Sequence, residues 1–144
     1  MVEILSAIAC SLITIVIIKV FSKLFPAKLF AATILVAIAF IYVGFSLKDN
    51  PVRLIILEIL MAMIFYFIAL IGYRKYPALL AYGIILHGVW DILHHHSAII
   101  PTYIPSYWPL FCIVVDIITG IYFLMVFSAE KKIGFRNENF SPSI

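Results

Sequence analysis

Apolar residues run along this chain in five blocks, about Val2–Phe21, Leu29–Leu47, Val52–Gly72, Pro77–His95 and Trp108–Ser128. Each is close to the ~20 residues that a helix needs to cross ~30 Å of hydrocarbon. The polar breaks FPAK, KDNP, YRKYP and IPTYIPSYWP each contain proline, with basic or aromatic residues around it, as expected of turns at a membrane boundary. Lipid offers no partner to backbone N–H and C=O groups, so a spanning segment must bond itself as a helix or close into a barrel. The short alternating segments of a barrel are missing from the pattern. The expected fold is therefore all-α: one bundle of five transmembrane helices over residues 1–129. A polar tail over 130–144 is expected to be loosely held.

The first block, MVEILSAIACSLITIVIIKVF, carries Glu3 where a signal peptide has basic residues, and it shows no small-residue cleavage pattern. It reads as a first spanning helix. Composition agrees with the membrane reading: 65% of residues are hydrophobic and 12% charged, against about 25% charged in soluble domains. A net charge of +3, placed in the turns, gives no footprint for nucleic acid. Basic residues set the orientation. Lys19, Lys23, Lys28, Arg74, Lys75, Lys131, Lys132 and Arg136 fall on one side of a five-span chain, and only Lys48 and Arg53 on the other. The rule that positive charge stays inside puts the N-terminus outside and the C-terminus in the cytoplasm.

The fourth block breaks the apolar pattern with HGVWDILHHH, which holds His87, Asp91, His94 and His95. A charge at the centre of a spanning helix costs roughly 2.5–3.5 kcal/mol, so a cluster there calls for a function. At 100° per residue, His87, Asp91 and His94 fall within ~60° of one another, with His95 ~40° beyond. His96 lies a further 100° round and reads as a solvated interfacial residue. Imidazoles and a carboxylate on one face can ligate a divalent transition metal, Zn²⁺ or Fe²⁺, or relay protons. His87, Asp91, His94 and His95 are the candidate ligands. In this topology Asp116 lies ~12 Å below the outer boundary and Glu58 ~9 Å. Both belong to the same outer half as the histidines and are the candidate catalytic carboxylates; Asp116 is also an alternative to Asp91 as a ligand, and for Glu58 a histidine partner is preferred to Arg53, which lies off its best helical face. Cys112, one turn before Asp116, and Cys10 read first as small apolar residues. Trp90 reads as a packing or interface residue.

The set YVGF at Tyr42–Phe45, Glu58, HGVWDILHH at His87–His95 and YWPLFCIVVD at Tyr107–Asp116 resembles a family of small bacterial integral-membrane proteins of unassigned function. That family carries an H-G-x-W-D-x-x-H-H motif followed by an aromatic-Pro-x-x-C-x-x-x-D segment. The resemblance covers roughly Ala31–Met125 and leaves out the first span and the tail. It implies a multi-pass protein of the bacterial plasma membrane and supplies no reaction.

Three functional readings follow. One is a metal-dependent, hydrolase-like membrane enzyme acting on a lipid or another apolar molecule. Another is a non-enzymatic protein that handles metal or protons, or an accessory subunit of a larger membrane complex; a bundle this small is expected to assemble with itself or with others. The third is a scaffold with a polar packing cluster. No serine or cysteine sits in a nucleophile elbow, and no P-loop or dinucleotide fingerprint is present.

Overall fold

The computed structural model describes residues 1–48, 50–95 and 99–139, the last six without their side chains. Its five helices are α1 (Val2–Phe21), α2 (Ala27–Ser46), α3 (Val52–Arg74), α4 (Pro77–His94) and α5 (Trp108–Asn139). All five are long and apolar enough to cross a membrane. Proline marks the starts: Pro26 and Pro51 stand immediately before α2 and α3, and Pro77 opens α4. A first-turn proline gives up an N–H that has no intrahelical partner anyway, and its fixed φ suits the helix. The main departure from expectation lies at the C-terminus, where α5 runs on through Glu130 to Asn139. Its polar last turns are built from good helix formers such as Glu130, Lys131 and Lys132, so the backbone has no reason to stop at Ser128. The end of the expected tail, from residue 140, and His96 lie outside the described residues.

α4 sits at the centre. It packs most heavily on α5 and also touches α2 and α3, while α2 pairs with α3 and α1 leans on α5. α4 is the least hydropathic span and the one with the largest share buried inside the protein. That inverts a soluble protein. Large apolar side chains such as Leu12, Ile64 and Leu86 face outward, where lipid is the solvent, and the polar residues turn in. Burial of apolar area against water cannot drive such helices together, so close packing does. Gly120 illustrates this. A Cβ there would stand 2.5 Å from Ile85 Cγ1 and 3.2 Å from the Ala81 carbonyl, so only glycine lets α5 come this near α4.

The interior is divided lengthwise. Toward the end that carries Arg74 and Pro77, Leu35, Phe65, Leu80, Ile84, Phe123 and Phe127 form an apolar core, with Phe123 and Phe127 stacked at 5.7 Å. Toward the other end the buried residues include the polar set Glu58, His87, Asp91, His94, Thr102 and Asp116. The connection before α5 folds back over this polar end. Ile99 and Ile100 N–H groups both donate to the Leu93 carbonyl (3.2 and 3.1 Å). The Tyr103 N–H donates to Asn50 Oδ1 at 2.8 Å.

Candidate metal centre

His87 occupies the middle of α4, and helical spacing puts Asp91 one turn on, on the same face. Gly88 between them lets α5 approach, because a Cβ on Gly88 would stand 3.3 Å from the Cβ of Asp116. Asp116 is thereby brought to His87, its Oδ2 2.8 Å from Nδ1. Asp91 Oδ1 stands 3.7 Å from the same nitrogen. His87, Asp91 and Asp116 are at most 1% exposed. One ligand atom from each lies within 4.8 Å of the others, so the three could hold a metal ion. Tetrahedral bonds of about 2.1 Å separate neighbouring ligand atoms by roughly 3.4 Å, so modest side-chain adjustment would seat an ion.

The hydrogen-bond inventory of this group is incomplete. Neither oxygen of Asp91 has a hydrogen-bond partner, although both are buried. The Tyr42 hydroxyl, on a residue 1% exposed, makes no bond of good geometry either, although it stands near enough to Asp91 to interact with it. The Tyr42 ring lies between the two imidazoles, with centroids 5.9 Å from His87 and 4.4 Å from His94. Leaving such groups unbonded in a low-dielectric interior costs about 1–3 kcal/mol each, and more for an ionised one. With both carboxylates ionised and the imidazole neutral, the group would carry a formal charge of −2, which one divalent ion would cancel.

His94 belongs to a second, saturated network. Its Nδ1–H donates to the Trp90 carbonyl at 3.0 Å, and its Nε2 meets Glu58 Oε1 at 2.8 Å. Thr102 Oγ1–H donates to Glu58 Oε1 at 2.7 Å and Trp90 Nε1–H to Oε2 at 3.4 Å. Because the Trp90 carbonyl can only accept, Nδ1 holds a proton, and the contact with Glu58 shares one more between Nε2 and the carboxylate. Both ring nitrogens are thus engaged, and neither offers a lone pair to an ion as it stands.

The structure therefore sorts the candidate residues differently from the sequence. Asp116, expected as a catalytic carboxylate or as an alternative ligand to Asp91, stands in the possible ligand set beside both His87 and Asp91. His94, expected as a ligand, pairs instead with Glu58. His95, half-buried, follows the last helical residue of α4, where the backbone turns extended (φ −66°, ψ 123°), and lies outside the His87 group. Wheel angles placed His94 and His95 correctly on α4 but contained nothing about which neighbouring helix each would meet. Three polar contributors went unassigned. Tyr42 was visible only as part of YVGF, Trp90 read as packing, and Thr102 lies in a connecting loop with no motif.

No curated protein and no solved structure matches the chain. A family model does match, over residues 2–130. That span includes α1, so the family likeness reaches beyond the Ala31–Met125 segment suggested by the motifs and takes in the first helix. With a match over nearly the whole chain, the protein belongs to the family of unknown function DUF6010.

Proposed function

We propose that this protein is a membrane-embedded metalloprotein, with one divalent transition ion, Zn²⁺ or Fe²⁺, bound by His87, Asp91 and Asp116, and that it acts as a hydrolase-like enzyme on a lipid or another apolar molecule. The observation that carries the metal is Asp91: a fully buried carboxylate with no hydrogen-bond partner on either oxygen, beside an imidazole and a second carboxylate. Three protein ligands also leave a fourth position open, as catalytic zinc sites do and structural four-ligand sites do not. An ion there would polarise a substrate carbonyl or ionise a bound water. The substrate class follows from placement, since the centre is enclosed by lipid-facing helices. The charge asymmetry of the turns puts it in the outer half of the membrane.

The second reading, a metal-free proton-handling or accessory protein, is favoured by the Glu58–His94 pair, which is complete without an ion. Metal analysis of protein purified gently into lipid nanodiscs separates the two. The metalloprotein reading expects one transition ion per chain. Asp91→Asn and His87→Ala should lower occupancy at least tenfold, the size of effect produced even by outer-sphere changes. Occupancy should also fall on acidification, because the ligands bind as a neutral imidazole and ionised carboxylates and protons compete with the ion. Absence of metal from the gently purified native protein, or occupancy unchanged in both variants, would leave the hydrogen-bonded network as the function-bearing feature.

A further inference from the structure

The turn from α3 into α4 stands between two recesses, at the end of the bundle away from the His87 centre. One, of about 370 Å³, has Lys75, Tyr76, Glu130 and Lys131 in its walls and reaches in to Phe127 of the apolar core. The other, of about 390 Å³, follows α3 past Phe67, Leu70 and Ile71 to Arg74. Lys75 and Tyr76 line both recesses, so the two meet at that pair.

Their chemistry differs. Arg74, Lys75 and Lys131 set three positive charges around the junction against the one carboxylate of Glu130. Among the described residues no ion pair engages any of these four. The cations repel one another, and an anion seated among them would relieve that repulsion. The groove along α3 is apolar: Phe67, Leu70 and Ile71 are 54%, 47% and 49% exposed, on a helix whose surroundings are hydrocarbon. A soluble anion satisfies only the charged recess, and an uncharged lipid only the groove. A head with its own ammonium would bring a fourth cation to the junction. The complement of both recesses together is a lipid whose head is negative overall.

We propose that the joined recesses bind an anionic phospholipid, its phosphate between Lys75 and Lys131 and one acyl chain along Phe67, Leu70 and Ile71 to the side of Arg74. The site depends neither on an ion at the His87 centre nor on which leaflet this end of the bundle occupies.

The test uses the full chain in nanodiscs of equal phosphatidylglycerol and phosphatidylcholine, with retained lipid read by native mass spectrometry. One basic residue near a membrane surface favours anionic lipid by about fivefold, so phosphatidylglycerol should be retained by at least roughly that factor. Lys75→Gln and Lys131→Gln should each cut the preference several-fold. Lys132→Gln and Lys23→Gln should leave it unchanged, since both residues are exposed at the same end and line neither recess. Lys75 and Lys131 are themselves exposed, and if one variant fails to insert the other carries the test. Equal retention of the two lipids by the unaltered chain overturns the proposal. So does an equal loss in all four variants, which is the signature of a diffuse surface charge without a site. Inorganic phosphate that abolishes the preference where chloride of equal ionic strength does not also overturns it, making the recess a site for soluble anions.

Discussion

Two carboxylates, one from each of two helices packed on α4, meet two histidines about two turns apart along it: Asp116 faces His87, and Glu58 faces His94. The pairs differ in what surrounds them. Around Glu58, Thr102, Trp90 and His94 supply three donors, whereas Asp91 beside the first pair accepts from none. Removing one partner of a buried pair leaves the other uncompensated, at a cost of about 3–5 kcal/mol, while replacing both by apolar residues of similar size is often neutral. Glu58→Leu and His94→Leu should therefore each destabilise the bundle by that order, and the double variant by clearly less than their sum. Denaturation in mixed micelles would measure this, and additive losses would contradict the pairing. Metal content should survive His94→Leu, since both ring nitrogens are already engaged. The i, i+4 relation of His87 and Asp91 was legible in the sequence because it is fixed by the helix itself. That Glu58 takes a histidine partner was legible too; which histidine it meets, and that Asp116 turns to His87, was not, because depth along a span follows from counting residues while rotation about the helix axis depends on packing.

At the scale of elements, apolar length alone located all five helices, since lipid imposes one rule on every span. Starts were legible through Pro26, Pro51 and Pro77. The end of α5 was not, because hydropathy reports where a helix leaves the membrane and says nothing of how far it continues into water. Pairing of the helices is governed by small residues, and α4 and α5 meet where Gly88 and Gly120 remove side chains. A methyl at Gly120 collides with Ile85, a flexible side chain, and approaches the Ala81 carbonyl, which cannot yield. Gly120→Val should thus force α4 and α5 apart, with a loss of about 1–3 kcal/mol, the usual cost of overpacking. Gly120→Ala should lose less. Equal stability of Gly120→Val and the unaltered chain, measured in the same micelles, would show that this crossing is looser than its 2.5 Å approach implies.

For the molecule as a whole, the lengthwise division matters most. One end of the bundle is an aliphatic and aromatic core; the other holds every buried acid and histidine among the described residues, closed over by the connection that brings Thr102 to Glu58. This polarity gains a direction only from the membrane, and the eight basic residues against two predict an N-terminus outside. In that orientation each Lys or Arg near the cytoplasmic surface would be held there by translocation bias and by about 1 kcal/mol of attraction to anionic lipid. Reversing the bundle would oppose several such contributions at once. Ser106, exposed in the connection before α5, should therefore face outside, and Lys75, exposed at the end of α3, should face the cytoplasm. In a Cys10→Ala background with Cys112 left buried, a membrane-impermeant thiol reagent applied to intact cells should label Ser106→Cys and spare Lys75→Cys until the cells are opened. Labelling in the reverse order would put the His87 centre in the inner half and give its substrate to the cytoplasmic leaflet. The ligand set would stand, but the side from which the centre is reached would change.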